Sequence, residues 1–312
     1  MVKRIALTGA TGYVGRALVH RLSRETGYHL TVITRDKAAA QRLFGDQVAL
    51  CCDHDEWLGA PPPAGRVDVL LHLGFARPHH GEGEIARSLA FTARLFAHAA
   101  AQGTGAIVYV SSRSVYGFAS APPWTEASPV APVSAYGQAK LEGERLLRAV
   151  KESHPEVMLT SIRLGTVSGG SAGLVDVFVL SRFVKQALRG EPIQIKGGTQ
   201  EFDIIDIGDA VDGLVAVLRS VPEGWSGVYN LSSAGSYNIV MLAELCVQIA
   251  SRHNGGVRSP ILVSQEEVNL RYGMDNSLLC RDFGWRPTRK LEETVESLVR
   301  YYLRRIPGCG QE

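Results

Sequence analysis

The chain has 312 residues, of which 45% are hydrophobic and 21% charged, and a formal net charge of +2. These are the fractions of a globular protein, and the charge is too small to drive binding to nucleic acid or an acidic membrane. The length suits one large α/β core or two smaller lobes, and the five scattered cysteines, Cys51, Cys52, Cys246, Cys280 and Cys309, form no C-x-x-C pair for zinc or redox exchange.

Near the start, the apolar run "IAL" turns at once into "TGATGYVG", residues 8–15. That break argues against a signal peptide, and the free cysteines fit a reducing cytoplasm. A strand, a glycine-rich turn and a helix over 15–24 make a dinucleotide site. The turn and the backbone approach to a pyrophosphate both exclude a Cβ, and the helix N-terminus offers free N–H groups. In this G-x-x-G-x-x-G spacing Gly9 makes the turn, Gly12 admits the phosphates and Gly15 lets the helix pack on the sheet. Thr11, Tyr13 and Val14 complete the cofactor-binding loop.

The second strand, "LTVIT", ends at Thr34 and Arg35, where an acid would take the ribose 2′-hydroxyl of NAD. Arginine suits a 2′-phosphate, so NADP is favoured over NAD. The plainer reading is a solvated arginine, with Asp36 turning back to the ribose. After the third strand, "VALCC", Asp53 is a candidate for the adenine amino group or a simple loop residue. The consecutive acids of "DHDE" rarely converge on one ion, and no metal is expected.

The fourth strand, "VDVLLHLG", holds His72, read as a satisfied core residue, and His79-His80 beyond it read as a solvated pair. The helix over 85–102 is apolar nearly all round, with Leu89, Phe91, Leu95 and Phe96 on different sides. It is expected to be buried on two faces, either in a helical dimer interface or under a covering loop. The fifth strand, "AIVYVSS", ends at Ser112. A proline-rich loop follows, whose Trp124 reads most simply as a packing residue, with covering a ligand as the alternative.

The helix over 135–152 carries Tyr136 and Lys140, four apart and so on one face. A phenol near pKa 10 is a poor proton carrier at neutral pH until a neighbouring positive charge lowers that value. Ser112 faces the same crevice and can hydrogen-bond a carbonyl or hydroxyl. The arrangement suits proton transfer by the phenol beside hydride transfer by a nicotinamide.

Beyond the sixth strand, "LTSIRLG", the rhythm loosens into a helix over 174–189, strands "PIQIKG" and "FDIIDI", a helix over 209–219, "GVYNLSS", and helices near 238–250 and 291–303. The most apolar window, "AGLVDVFVLSRFV", carries Asp176 and Arg182 and is too short to span a bilayer. The β/α alternation means an α/β fold: a Rossmann-type doubly wound parallel sheet with a smaller, partly interleaved C-terminal substrate lobe. Residues 1–168, with about 203–234, form the dinucleotide-binding domain, and 169–202 with 235–312 the substrate-binding lobe.

Over almost its whole length the chain resembles extended short-chain dehydrogenase/reductases of the NAD(P)-dependent epimerase/dehydratase family. The motifs are "TGATGYVG", "LLHLG" where that family usually has H-L-A-A, "VSSRSVYG", "YGQAK", "IRLGTVSG", "FDIIDIGD", "VYNLSS" and "FGWRPTRKLEE". The resemblance implies a catalytic triad of Ser112, Tyr136 and Lys140, with Lys140 also holding the nicotinamide ribose. It implies that Leu73, Gly74 and Phe75 line the cofactor, that the backbone after "IRLG" approaches the nicotinamide, and that the protein is a homodimer.

By the same resemblance the substrate is a nucleotide sugar, with Arg77, Ser114 and Arg271 of "RYGMD" as its contacts. The chain departs from the pattern at "EFDIID", where Phe202 stands in place of a diphosphate-gripping arginine. It departs again after Ser112, where Arg113 and Ser114 replace the acid pair of dehydratases, so 4,6-dehydration is disfavoured. What remains is 4-epimerisation or reduction of a ketone. The alternatives are a reductase of small non-nucleotide ketones and, ranked last, a non-catalytic NADP sensor, which has no need to keep Ser112, Tyr136 and Lys140 together.

Overall fold

A computed structural model describes residues 2–59, 65–175, 178–220 and 224–305. The first half runs β1 (Lys3–Thr8), α1 (Tyr13–Leu22), β2 (Tyr28–Ile33), α2 (Lys37–Phe44), β3 (Leu50–Cys52), α3 (His54–Leu58), β4 (Val69–His72), α4 (Glu82–Ala101), β5 (Ala106–Ser112), α5 (Ala135–Ser153) and β6 (Met158–Leu164). The second half adds β7 (Thr166–Ser168), α6 (Val179–Leu188), β8 (Ile193–Lys196), β9 (Glu201–Phe202), β10 (Ile204–Asp206), α7 (Ile207–Arg219), β11 (Val228–Leu231), β12 (Tyr237–Asn238), α8 (Ile239–Ala250), β13 (Ile261–Ser264), α9 (Ser277–Phe283) and α10 (Leu291–Leu303).

The central sheet has seven strands in the order β11-β6-β5-β4-β1-β2-β3, all parallel. β4 and β5 are buried along their whole lengths, as the continuous apolar runs require when helices cover both faces. One face packs Leu18, Leu22, Leu214 and Leu218 of α1 and α7 on the sheet, and the other packs Leu95, Phe96 and Leu147 of α4 and α5. A further core joins α6, α8 and α10 around Phe183, Leu242 and Leu298. The expected α/β, Rossmann-type doubly wound sheet is therefore the fold observed.

One boundary moved by several residues. The helix expected from residue 174 begins at Val179, after Gly169 and Gly173 hold the chain at φ 130° and 80°, outside the helical region. Asp176 of that stretch lies outside the described residues, as does Cys309. α2, α3 and α9 escaped the sequence pattern because five to eight residues show too little 3.6-residue periodicity. α2 and α3 form on caps: Asp36 accepts from the Ala39 N–H, and Asp53 and Glu56 make a reciprocal capping box.

α4 also differs from expectation. Leu95 and Phe96 are buried, Leu89 packs beside Ala76 and Ala139, and Phe91 stacks on His54 at 3.8 Å, all within the chain. The side that remains exposed carries Ala86, Ala90 and Ala97 together with Arg87 and Arg94.

α5 is the helix that matters most for the site. Ser134 caps it through the Gly137 N–H at 3.1 Å, and a buried ion pair fixes its middle to the sheet. Arg163 of β6 meets Glu144 in a bidentate pair, Nε to Oε1 at 3.0 Å and Nη2 to Oε2 at 2.8 Å, and Ser111 donates to the same carboxylate at 2.6 Å. Both charged side chains are almost wholly buried. Removing one partner strands the other's charge in the interior, a loss of about 3–5 kcal/mol. Arg163→Met should lower the urea-unfolding free energy by that amount, and adding Glu144→Leu should recover most of it. A loss under ~1 kcal/mol for the single variant would show that the pair does not fix α5.

Candidate functional site

Strand order reverses between β1 and β4, and the carboxyl ends of these two strands open a crevice. Gly9 turns the chain there at φ 71°, and a Cβ on it would come 2.5 Å from the Gly74 nitrogen. A Cβ on Gly15 would run into the Gly9 carbonyl oxygen, whereas one on Gly12 would meet only that oxygen, at 3.2 Å. The first two glycines thus allow the strand, loop and helix to close up, and Gly12 leaves open space above the α1 N-terminus. No side chain caps α1, so its first N–H groups are free to hold a phosphate. This cradle fits a dinucleotide.

Not every loop residue points into the cradle. Tyr13 is buried and donates its hydroxyl to the Gly169 carbonyl at 2.6 Å, leaving only its backbone to face a cofactor. Val14 packs against the core, and Thr11 turns its carbonyl to the Arg16 Nε at 2.7 Å.

At the adenosine end, Thr11, Arg16, Thr34, Asp36, Arg42 and Leu43 line a cavity of about 340 Å³. Arg35 is not among its walls. Its side chain is 81% exposed and lies 3.6 Å from Glu84. Asp36 and Asp53 are engaged as the helix caps described above, a local role their sequence positions did not announce. A smaller cavity of about 230 Å³, beside Glu144, Leu147 and Trp225, takes in none of the expected site residues.

Ser112, Tyr136 and Lys140 come together where β5 ends and α5 begins. Ser112 caps the short turn that follows it, accepting from the Ser114 N–H at 3.2 Å, and its Oγ lies 3.2 Å from the Ser114 Oγ. The Phe75 ring stands edge-on to Tyr136 at 6.2 Å. Lys140 is buried, donates to the Val110 carbonyl at 2.8 Å, and sits 4.3 Å from the Phe75 centroid and 5.9 Å from that of Tyr136.

Burial raises the Tyr136 pKa, and the Ser112 hydrogen bond and the charges of Arg77 and Arg113 pull it back. The expectation that the Lys140 ammonium lowers the phenol needs revision. A buried ammonium must find an acceptor, and this one is drawn to the end of β5 and away from the ring. Burial also lowers the Lys140 pKa to about 7, with Glu144 acting against the shift.

The remaining expected residues sort by environment. His72 is fully buried between Thr8 Oγ1 at 2.6 Å and Thr92 Oγ1 at 2.8 Å, a satisfied core residue. His79 and His80 are exposed, and His80 accepts from the Arg77 N–H at 3.0 Å. Trp124 follows the packing reading. It is buried, stacks on Tyr116 at 5.2 Å and donates to the Ser120 carbonyl, anchoring the loop it lies in. Arg271 is exposed, and its backbone pairs as a parallel β-bridge with that of Glu201 in β9.

Sequence reasoning missed three features. Arg42 sits in a helix too short to be seen, Arg163 carries no local pattern, and Arg113 was read only as a missing acid. Their roles come from contacts distant in sequence, although Arg16, directly after Gly15, was legible as a cation beside the phosphate bed.

The Lys140 shift carries a sign that can be checked. Between pH 7 and 10.5 the unfolded chain binds more protons than the folded one, so this group destabilises most at and below neutral pH and its penalty fades as pH rises. Lys140→Met should therefore stabilise the cofactor-free protein near neutrality. Its advantage should shrink by up to about 1.4 kcal/mol per pH unit between pH ~7.5 and ~9.5 in urea titrations. Parallel pH profiles for the two proteins would exclude a depressed lysine.

The same architecture recurs in known proteins. The model of the NAD dependent epimerase/dehydratase family matches residues 5–232. UDP-glucuronic acid decarboxylase 1 of Xenopus tropicalis is 28% identical over 319 residues, covering 97% of this chain and 73% of that protein. dTDP-glucose 4,6-dehydratase of Streptomyces griseus is 24% identical, covering 97% and 94%. Among solved structures, MoeE5 in complex with UDP-glucuronic acid and NAD is 24% identical and superimposes with a TM-score of 0.79, covering 97% of this chain and all of that one. UDP-glucuronic acid 4-epimerase from Bacillus cereus, in complex with UDP-glucuronic acid and NAD, is 21% identical with a TM-score of 0.80 over 96% and 99%. With the family's pattern matched over more than two thirds of its length, this chain belongs to the NAD dependent epimerase/dehydratase family.

Proposed function

We propose that this protein is an NAD(P)-dependent enzyme that acts at a carbinol or ketone carbon of a nucleotide sugar, as a 4-epimerase or a ketoreductase. The observation that carries the reading is the meeting of Ser112, Tyr136 and Lys140 at one end of the glycine cradle. A bound nicotinamide would supply the hydride chemistry. The chain's own residues handle the proton: the Tyr136 phenol takes it from, or returns it to, the reacting oxygen, and Ser112 hydrogen-bonds that oxygen. Lys140, held by the Val110 carbonyl, is assigned to the nicotinamide ribose in this reading. Leu73, Gly74 and Phe75 form the adjacent wall, and Arg77, Ser114 and Arg271 are the candidate substrate contacts.

In this reading residues 1–168 with about 203–234 hold the cofactor, and 169–202 with 235–312 hold the substrate. A homodimer formed through the exposed Ala86, Ala90 and Ala97 face of α4 and a cytoplasmic setting belong to the same proposal. The latter is supported by the free thiols of Cys51, Cys52, Cys246 and Cys280. A second reading, reduction of a small non-nucleotide ketone, draws on Phe202, which packs against Tyr272 at 5.7 Å where a diphosphate-binding arginine is usual.

Tyr136→Phe should lower turnover of a UDP-hexose by about 100- to 10,000-fold while leaving cofactor affinity within about threefold, measured by steady-state kinetics and cofactor titration. Uridine diphosphate alone should raise the melting temperature of the wild type. Turnover unchanged in Tyr136→Phe would end the mechanism, and turnover of small ketones with no protection by uridine diphosphate would favour the second reading.

NADP is favoured over NAD, with Arg42 and Arg16 in the adenosine cavity taking over the role first assigned to Arg35. A charge-assisted contact to a 2′-phosphate is worth about 1.5–3 kcal/mol. Arg42→Ala should therefore weaken NADPH about 10- to 100-fold and NADH hardly at all in fluorescence titration. An equal loss in Arg35→Ala would return the contact to Arg35, and a wild type that prefers NADH would remove the NADP reading.

A further inference from the structure

Directly after Ser112, Arg113 begins the turn that leads out of β5, and its guanidinium is directed inward. It lies 3.9 Å above the Tyr272 ring, and its Nε donates to Thr166 Oγ1 at 3.0 Å. Tyr272 in turn packs against Phe202 and Phe118. The guanidinium therefore rests on an aromatic floor, in the field of the Tyr136 phenol, and burial works against its charge.

A guanidinium in such a place ordinarily has a carboxylate partner, because an uncompensated inward charge is costly. Among the described residues none comes within ion-pair distance. Asp203, whose charge it feels, is already committed: Oδ1 accepts from the Ser233 N–H and hydroxyl at 3.1 and 2.6 Å, and Oδ2 from the Met274 N–H at 3.3 Å. With Nε on Thr166 and the Tyr272 side chain as a further hydrogen-bonding neighbour, the outer nitrogens of Arg113 keep donor capacity for a planar, two-pronged contact on the Tyr136 side of the crevice.

We propose that Arg113 reads a carboxylate on the sugar ring, and that the preferred substrate is a nucleoside-diphosphate hexuronate and not the neutral hexose. This rests on the nucleotide-sugar reading above. Position selects the ring carboxylate over the diphosphate. The reacting oxygen must reach Tyr136 and Ser112, and a carboxylate one ring atom away from the reacting carbon falls next to Arg113. The diphosphate, joined at the anomeric carbon, leaves the ring on the opposite side. A carboxylate also matches the flat guanidinium in shape and charge.

The test uses the full-length, cofactor-loaded protein and calorimetric titration with uridine diphosphate, UDP-glucose and UDP-glucuronate. The wild type should bind UDP-glucuronate at least ~10-fold more tightly than UDP-glucose. Arg113→Met should bring the two within about twofold, with uridine diphosphate affinity moving less than about twofold, and Arg113→Lys should fall between. Equal wild-type affinities for the two sugars would overturn the proposal. So would an Arg113→Met loss as large for uridine diphosphate as for UDP-glucuronate, which would make Arg113 a diphosphate contact. If Arg113→Met does not fold, the wild-type ratio and Arg113→Lys decide. Failure of the wild type to bind any of the three would instead bring down the nucleotide-sugar reading, and this inference with it.

Discussion

The bidentate pair between Glu144 and Arg163 is the constraint on which the site's geometry depends. It joins the middle of α5 to β6, while Ser111, one residue before Ser112, donates to the same carboxylate. Three elements that carry or flank the candidate chemistry are thereby referenced to a single buried group. One face of one helix holds Tyr136, Lys140 and Glu144 on successive turns, so fixing the carboxylate also fixes the height and rotation of the phenol and the ammonium above it. A surface ion pair would be screened and mobile. This one is buried, hydrogen-bonded on both oxygens and costly to break.

A second constraint is steric. The glycine cradle closes because Gly9, Gly15 and Gly74 lack side chains, so the end of β4 can lie against the end of β1. Thr8 reinforces that contact through its hydroxyl, which accepts from the Gly74 N–H at 3.1 Å and bonds the ring of His72. The crevice at the switch point in strand order is therefore narrow at its base and open above α1, the shape a pyrophosphate requires. Farther out, Asp209 accepts from Thr288 and Arg289, and Asp206 from Thr294. These bonds tie the C-terminal segment back to α7 beside the sheet.

The candidate site combines charges that oppose each other in a dry setting. Burial disfavours ionisation of both Tyr136 and Lys140, and Arg77 and Arg113 supply the positive field that the phenol feels. A proton on such a phenol moves readily only when a ligand's own oxygen completes the network. Arg113 gives the crevice a distinctive feature, since it stands where the dehydratase pattern would have an acid. The guanidinium makes the substrate side of the crevice cationic where an acid would make it anionic.

Much of this was legible without coordinates. The parallel sheet, the glycine turn, Ser112 at a strand end and the four-residue step from Tyr136 to Lys140 are written in local patterns. A period of two or of 3.6, a turn requiring φ above zero and a serine where a strand stops are each decided by neighbours in sequence. The sequence also placed His72 in the core, where Thr8 and Thr92 satisfy it. Tertiary structure alone decided which way the side chains turn. It sent Tyr13 to Gly169, Trp124 onto Tyr116 and Arg35 out toward Glu84, while bringing Arg16 and Arg42 to one cavity. It also gave Lys140 a carbonyl for its partner and, among the described residues, brought no carboxylate within ion-pair distance of Arg113. The physical reason is that backbone conformation answers to short-range sterics and hydrogen bonding. The partner of a buried charge is set by what distant segments bring within a few ångströms, and no local pattern in the chain records that distance.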